Sequence, residues 1–101
     1  MEFVVNGQPA YAYSGGKLLK PPLDPAQPAV IFIHGAELDH SCWGLQSRWF
    51  AHHGFATLAV DLPGHGRSAG APLTSIPAMA AWSVALLDAA ISRLEPKHAQ
   101  I

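Results

Sequence analysis

One stretch constrains the fold more than any other: Ala29-Val30-Ile31-Phe32-Ile33-His34-Gly35-Ala36. Large apolar residues follow one another with no polar break, and then a histidine and a glycine end the run. A strand that is apolar on both faces belongs inside a sheet covered on both sides. The His-Gly step is where the backbone must turn and present its N–H groups. The stretch is therefore expected to be a central parallel strand that delivers the chain to an active-site rim.

The surrounding chain fits an α/β pattern. Residues 2–6 and 9–14 are short apolar-rich runs separated by Asn6-Gly7-Gln8. Asn-Gly favours a tight hairpin turn because both residues tolerate positive φ, so the first two strands should be antiparallel. Pro21, Pro22, Pro25 and Pro28 exclude helix and central strand. A polyproline ligand for a partner domain would have this composition, but so does an ordinary stiff connector, the simpler reading.

After the apolar strand, residues 36–40 read as a polar loop and Ser41 as an N-cap. The helix behind it carries Trp43, Leu45, Trp49 and Phe50, has His52 and His53 in its last turn, and stops at Gly54. Residues 55–60 form the next strand. A strand, helix and strand joined by short connections imply a parallel pair. A second helix should start at Thr74 or Ser75, with Pro77 in its first turn. It would show solvent a narrow stripe of Ala81, Ala85, Asp88, Ser92 and Glu95. Met79, Trp82, Leu86, Leu87, Ala90, Ile91 and Leu94 would pack, and Pro96 would end the helix. Residues 98–101 resemble the start of another strand. Trp43, Trp49 and Trp82 are expected as core anchors, with Trp43 also able to border a pocket.

Composition excludes several classes of function. The chain has 101 residues, 13% of them charged, against roughly 25% in ordinary soluble chains. Small domains have much surface for their volume and should need more charge, so this composition suits a piece of a larger body or a subunit that oligomerises. A net charge of −1 without a basic cluster argues against nucleic acid and anionic membranes. The lone Cys42 allows no internal disulfide, in keeping with a reducing, cytoplasmic setting. The first residues do not form a secretory signal, and the last helix is interrupted by Ser83, Asp88, Ser92 and Arg93, a poor membrane span.

Two motifs carry a family resemblance. His34-Gly35 followed by Trp43, and Asp61-Leu62-Pro63-Gly64-His65-Gly66-Arg67-Ser68 after the next strand, are similar in residues, order and spacing to α/β-hydrolases. The resemblance covers about residues 28–101 and, more loosely, the leading hairpin. It implies the N-terminal part of an α/β-hydrolase sheet: an antiparallel hairpin, then parallel strands with flanking helices, as one partial domain over 1–101. It also implies a nucleophile just after a fifth strand, followed by an acid and a histidine, and that position would fall beyond Ile101.

The resemblance further implies that the N–H of Ala36 is one oxyanion-hole donor. His34, Gly35, Trp43, Asp61, Gly64, Gly66 and Ser68 are candidate pocket or loop supports. His34 is expected to hold the loop rather than transfer a proton. Gly66-Arg67-Ser68-Ala69-Gly70 spells G-x-S-x-G, but no strand runs directly into it and no helix leaves it. Ser68 is therefore expected to be a loop serine bonded locally.

His34, Asp39, His40, Asp61 and His65 share one rim, yet their spacing matches no zinc pattern, and loop hydrogen bonding is the expected role. Gly64, Gly66 and Gly70 lack the following helix that a dinucleotide site needs. No metal or other cofactor is expected.

The functional expectation is a serine-type hydrolase of a small ester, amide or related molecule, with this chain inactive alone. A non-catalytic binding scaffold on the same fold is one alternative. A dehalogenase or epoxide hydrolase with an aspartate nucleophile is another. The partner expected is a small-molecule substrate, with self-association possible through an unpaired edge of the strand at 29–34.

Overall fold

The computed structural model describes residues 1–17, 19, 26–35 and 37–94. Four strands and two helices follow in the order β1 (Glu2–Val5), β2 (Gln8–Tyr13), β3 (Ala29–Ile33), α1 (Gly44–His52), β4 (Ala56–Val60) and α2 (Ile76–Leu94), with a 3₁₀ turn over His40–Trp43 ahead of α1. The strands form one mixed sheet in the order β1-β2-β4-β3. This is the partial α/β-hydrolase sheet expected from the sequence.

The hairpin forms because Asn6 and Gly7 both adopt positive φ, 51° and 79°, and join β1 to β2 with Val5 opposite Gln8. The twist of such a turn matches that of the strands it connects. β2 then pairs antiparallel with β4, Ala12 opposite Val60. β3 lies parallel to β4 from Ala29–Ala56 to Ile33–Val60, the pairing that a strand-helix-strand unit produces.

The centre of the sheet differs from the expectation. β4 is the buried strand: Thr57, Leu58, Ala59 and Val60 are all buried, between β2 and β3. β3 pairs only with β4 among the described strands, and Ile33 is 42% exposed. An apolar run on both faces indicates that both faces are to be covered but says nothing about how many edges are paired. Here one face of β3 is covered by aromatic packing, Phe32 against Trp43 at 5.2 Å and against Phe50 at 5.5 Å between ring centroids.

The main core lies on the other face of the sheet. Phe3, Val5, Ala10, Ala12, Leu58 and Val60 pack there against Trp82, Leu86 and Ala90 of α2. Each of these helix residues is at least nine-tenths buried, and each large apolar side chain so placed contributes about 1.5–3 kcal/mol. Ser75 caps α2 by accepting the Ala78 N–H at 3.1 Å. The packed face differs from the expected one at two positions: Ile91 is 43% exposed, and Ala85, placed on the solvent stripe, packs against the core.

α1 departs in two ways. The helix itself starts at Gly44 with no side-chain cap, and it is the 3₁₀ turn leading into it that Asp39 caps, its Oδ1 accepting from the Ser41 N–H at 2.8 Å and from Ser41 Oγ at 2.5 Å. A carboxylate two residues upstream displaces the neutral hydroxyl as cap because charge-assisted bonds are stronger. Trp49 is not a core anchor: it is 54% exposed and stacks on His53 at 4.0 Å.

The expected Pro21–Pro25 connector, the helix end at Pro96, and the strand at 98–101 lie outside the described residues. So do Glu95 and the side chains of Arg93 and Leu94. No helix among the described residues is long and apolar enough to cross a membrane.

Candidate active site

The loops leaving β3 and β4 lie side by side because the parallel register carries both strands to the same edge. His34 and Asp61 are the first residues past Ile33 and Val60, which pair at that edge. These loops and the start of α2 bound a cleft of about 1020 Å³. Its wall is mostly apolar, with Ile33, Leu38, Leu62, Leu73, Ile76 and Met79 among the contributors. His34, Gly35, Gly64, His65 and Gly66 border it from the two loops, together with the carboxylates Glu37 and Asp39.

Asp61 is the fixed point between the loops. It is completely buried. Its Oδ1 accepts from the His40 N–H at 2.6 Å and from His40 Nδ1 at 3.0 Å, and its Oδ2 accepts from the Arg67 N–H at 2.9 Å. A buried carboxylate persists only when its oxygens are this fully engaged.

Gly66 is required by the same contact. Its φ is +50°, and a Cβ there would fall inside van der Waals contact with the Asp61 carboxylate. Gly64 is also left-handed, at φ +75°, and turns against Pro72.

Ser68 is buried in the same knot. Its Oγ donates to Asp61 O at 2.6 Å and accepts from the Tyr11 N–H at 2.9 Å, so it ties the loop to β2. Among the described residues no histidine side chain is bonded to its Oγ, and Ser68 does not line the cleft. Both hydrogen-bonding directions of the hydroxyl are occupied by main chain, which leaves no base to accept its proton.

His34 is buried. Its Nδ1 faces Gly35 O at 2.6 Å and its Nε2 accepts the Leu62 N–H at 3.0 Å. Both ring nitrogens are engaged by main chain, which suits a loop tie and not a proton carrier. Trp43 packs on Phe32 away from the cleft, with its Nε1 buried and unbonded among the described residues. Ala36, the expected amide donor, lies outside the described residues; Gly35 and Glu37 on either side of it line the cleft.

Asp39, His40 and Asp61 place one ligand atom each within 4.8 Å of one another. The Asp61 oxygens in that group are already bonded by protein donors and Asp39 Oδ1 by Ser41, so the chemistry is that of a loop brace. The Ser41 hydroxyl, followed by the Ser41 N–H, holds the Asp39 carboxyl below its ordinary value.

Sequence reasoning missed the contribution of α2. Ile76, Met79 and Ala80 of α2 line the cleft, with Leu73 just ahead of the helix, and the one signal available was an isoleucine at the helix entry where a polar residue is usual. It also missed Tyr11, whose N–H holds Ser68 and whose ring lies 4.9 Å beneath the Arg67 guanidinium.

The alpha/beta hydrolase family profile matches residues 30–99, which span both loops and all of α2. The 2-succinyl-6-hydroxy-2,4-cyclohexadiene-1-carboxylate synthases of Salmonella paratyphi B and Salmonella newport are 40% identical to this chain over 52 residues, 52% of this chain and 20% of each relative. The match thus spans about a fifth of the length of these curated relatives. No solved structure matches. With the family match covering more than half of the sequence and both loops placed on one edge of a mixed sheet, this chain belongs to the alpha/beta hydrolase family.

Proposed function

We propose that this chain is the N-terminal part of a serine-type α/β-hydrolase that attacks the carbonyl of a small ester, amide or related molecule through a covalent intermediate. It supplies the sheet core, one wall of the substrate cleft and, through the N–H of Ala36, one donor of the oxyanion hole. A donor of that kind lowers the barrier by ~3–4 kcal/mol in comparable sites. The nucleophile, acid and catalytic histidine are carried by residues beyond Ile101, and the chain alone is inactive.

The observation that carries this reading is the pairing of an apolar cleft of about 1020 Å³ with a serine that is fully bonded elsewhere. The cleft offers room for a small substrate, and the only G-x-S-x-G in the sequence does not point into it.

The relatives' printed name favours a second reading on the same fold: a synthase of a cyclic carboxylate rather than a hydrolase. The described cleft wall favours the first, since it contains Glu37 and Asp39 and neither Lys nor Arg. An anionic substrate would meet like charge there.

The test is a p-nitrophenyl ester assay on the folded chain and on the gene product that extends past Ile101. The proposal expects turnover only with the extended protein. Turnover by the 101-residue chain that disappears on Ser68→Ala would overturn it.

A further inference from the structure

Two histidines join the loops after β3 and β4, and their bonding is the same with the direction reversed. His34, on the first loop, has Nδ1 2.6 Å from Gly35 O and Nε2 3.0 Å from the Leu62 N–H of the second loop. His65, on the second loop, has Nδ1 3.0 Å from Pro63 O and Nε2 3.2 Å from the Glu37 N–H of the first. The two ring centroids are 5.0 Å apart.

A carbonyl oxygen only accepts and a main-chain N–H only donates, so each ring has one compatible state: a proton on Nδ1, a lone pair on Nε2 and no charge. Both cross-loop bonds span 28 residues. They continue the tie between β3 and β4 past the strand ends, where ladder bonds stop.

We propose that His34 and His65 form a reciprocal clasp that positions Glu37 and Leu62 against each other's loop and holds them only while both rings are neutral. His65 is the positioning residue for Glu37, whose φ of +63° is a backbone conformation that L side chains rarely adopt and that needs an external hold. Adding a proton to either Nε2 sets N–H against N–H, and that bond is lost.

The other described histidine bonds are built differently. The Nδ1 atoms of His40, His52 and His53 face Asp61, Arg48 O and Trp49 O, and their Nε2 atoms accept no bond among the described residues, so those rings can charge without losing one. The titratable and charged groups around the pair are Glu37, Asp39 and His40 on the first loop and Asp61 and Arg67 on the second. From α2 the same cleft receives only Ile76, Met79 and Ala80. The clasp acts on the loop to which the proposed function assigns the oxyanion donor, but it requires no turnover, so the two readings fail separately.

The test uses the whole chain, labelled with ¹⁵N, and no substrate. Long-range imidazole spectra at neutral pH should show both rings protonated at Nδ1 and unprotonated at Nε2. An Nε2-protonated ring or an imidazolium at either position would overturn the clasp. On acidification, the Glu37 and Leu62 amides should lose exchange protection together with protonation of the two rings, and protection that persists on charged rings would also overturn it. His65→Leu should speed exchange of the Glu37 amide about fivefold, the factor carried by one ordinary hydrogen bond. His65→Gln, whose side-chain oxygen can accept the same N–H, should keep it within about twofold; equal rates in the two variants would contradict the positioning role. If His65→Leu does not fold, the spectra and acid titration of the unmodified chain decide alone.

Discussion

Gly66→Ala isolates the Asp61 contact that joins the two loops. Gly66 has φ +50°, and its Cβ would lie 2.8 Å from Asp61 Oδ1 and closer still to the rest of the carboxylate. Gly54 provides the control: φ is +90° and nothing lies within 4 Å of its Cβ. An alanine at Gly54 therefore meets backbone strain alone, about 1–2 kcal/mol. At Gly66 the same strain is joined by displacement of a carboxylate with no solvent exposure that accepts from the His40 and Arg67 N–H groups. Each bond to a charged group is worth about 1.5–3 kcal/mol, so Gly66→Ala should cost about 3–5 kcal/mol in total. That is a large share of the roughly 5–15 kcal/mol available to a domain. Urea unfolding followed by tryptophan fluorescence measures both variants, with midpoint differences converted through a common m-value. Equal destabilisation by the two alanines would refute the claim that Asp61 is held in place through Gly66.

Three other perturbations test neighbouring parts. Ser68→Ala should lower stability by about 2–3 kcal/mol, because it leaves the Tyr11 N–H without its partner and removes the donor to Asp61 O; calorimetry measures this, and a neutral effect would contradict it. Asp39→Ala should cost roughly 1 kcal/mol at neutral pH as a lost cap. Because the folded Asp39 carboxyl is held below its ordinary value, its contribution is complete above that ordinary value and disappears as pH falls through the lowered one, so wild type and variant should converge in acid. The side of β3 that is unpaired among the described strands, with Ile33 exposed, should make the isolated chain self-associate. Sedimentation as a single monomeric species would contradict this, and Ile33→Lys should reduce the association.

Local chemistry made much of the fold legible. Asn6-Gly7 specified the hairpin, Ser75 and Pro77 marked the start of α2, and Trp82, Leu86 and Ala90 fell on one face at helical spacing. The errors came from competition between similar residues and from burial that local pattern does not encode. Asp39 and Ser41 are both capping types two residues apart, and only geometry shows that the carboxylate wins. Trp49 has the character of a core residue, yet it lies on the outward side of α1.

At the site, the two motifs were visible but the bonds between them were not. The His34–Leu62 and His65–Glu37 bonds depend on the β3–β4 register, which sets the loops side by side. Asp61 read as a rim residue with several possible roles; its complete burial is what makes it a brace.

Ser68, the serine of this chain's G-x-S-x-G, is bonded as a structural residue, and the proposed function therefore puts the reacting nucleophile elsewhere. The most direct measurement is intact-mass spectrometry after incubating the folded chain with a serine-reactive fluorophosphonate. An unmodified mass is expected, because Ser68 Oγ is buried between Asp61 O and the Tyr11 N–H. A stoichiometric adduct mapped to Ser68 would contradict it.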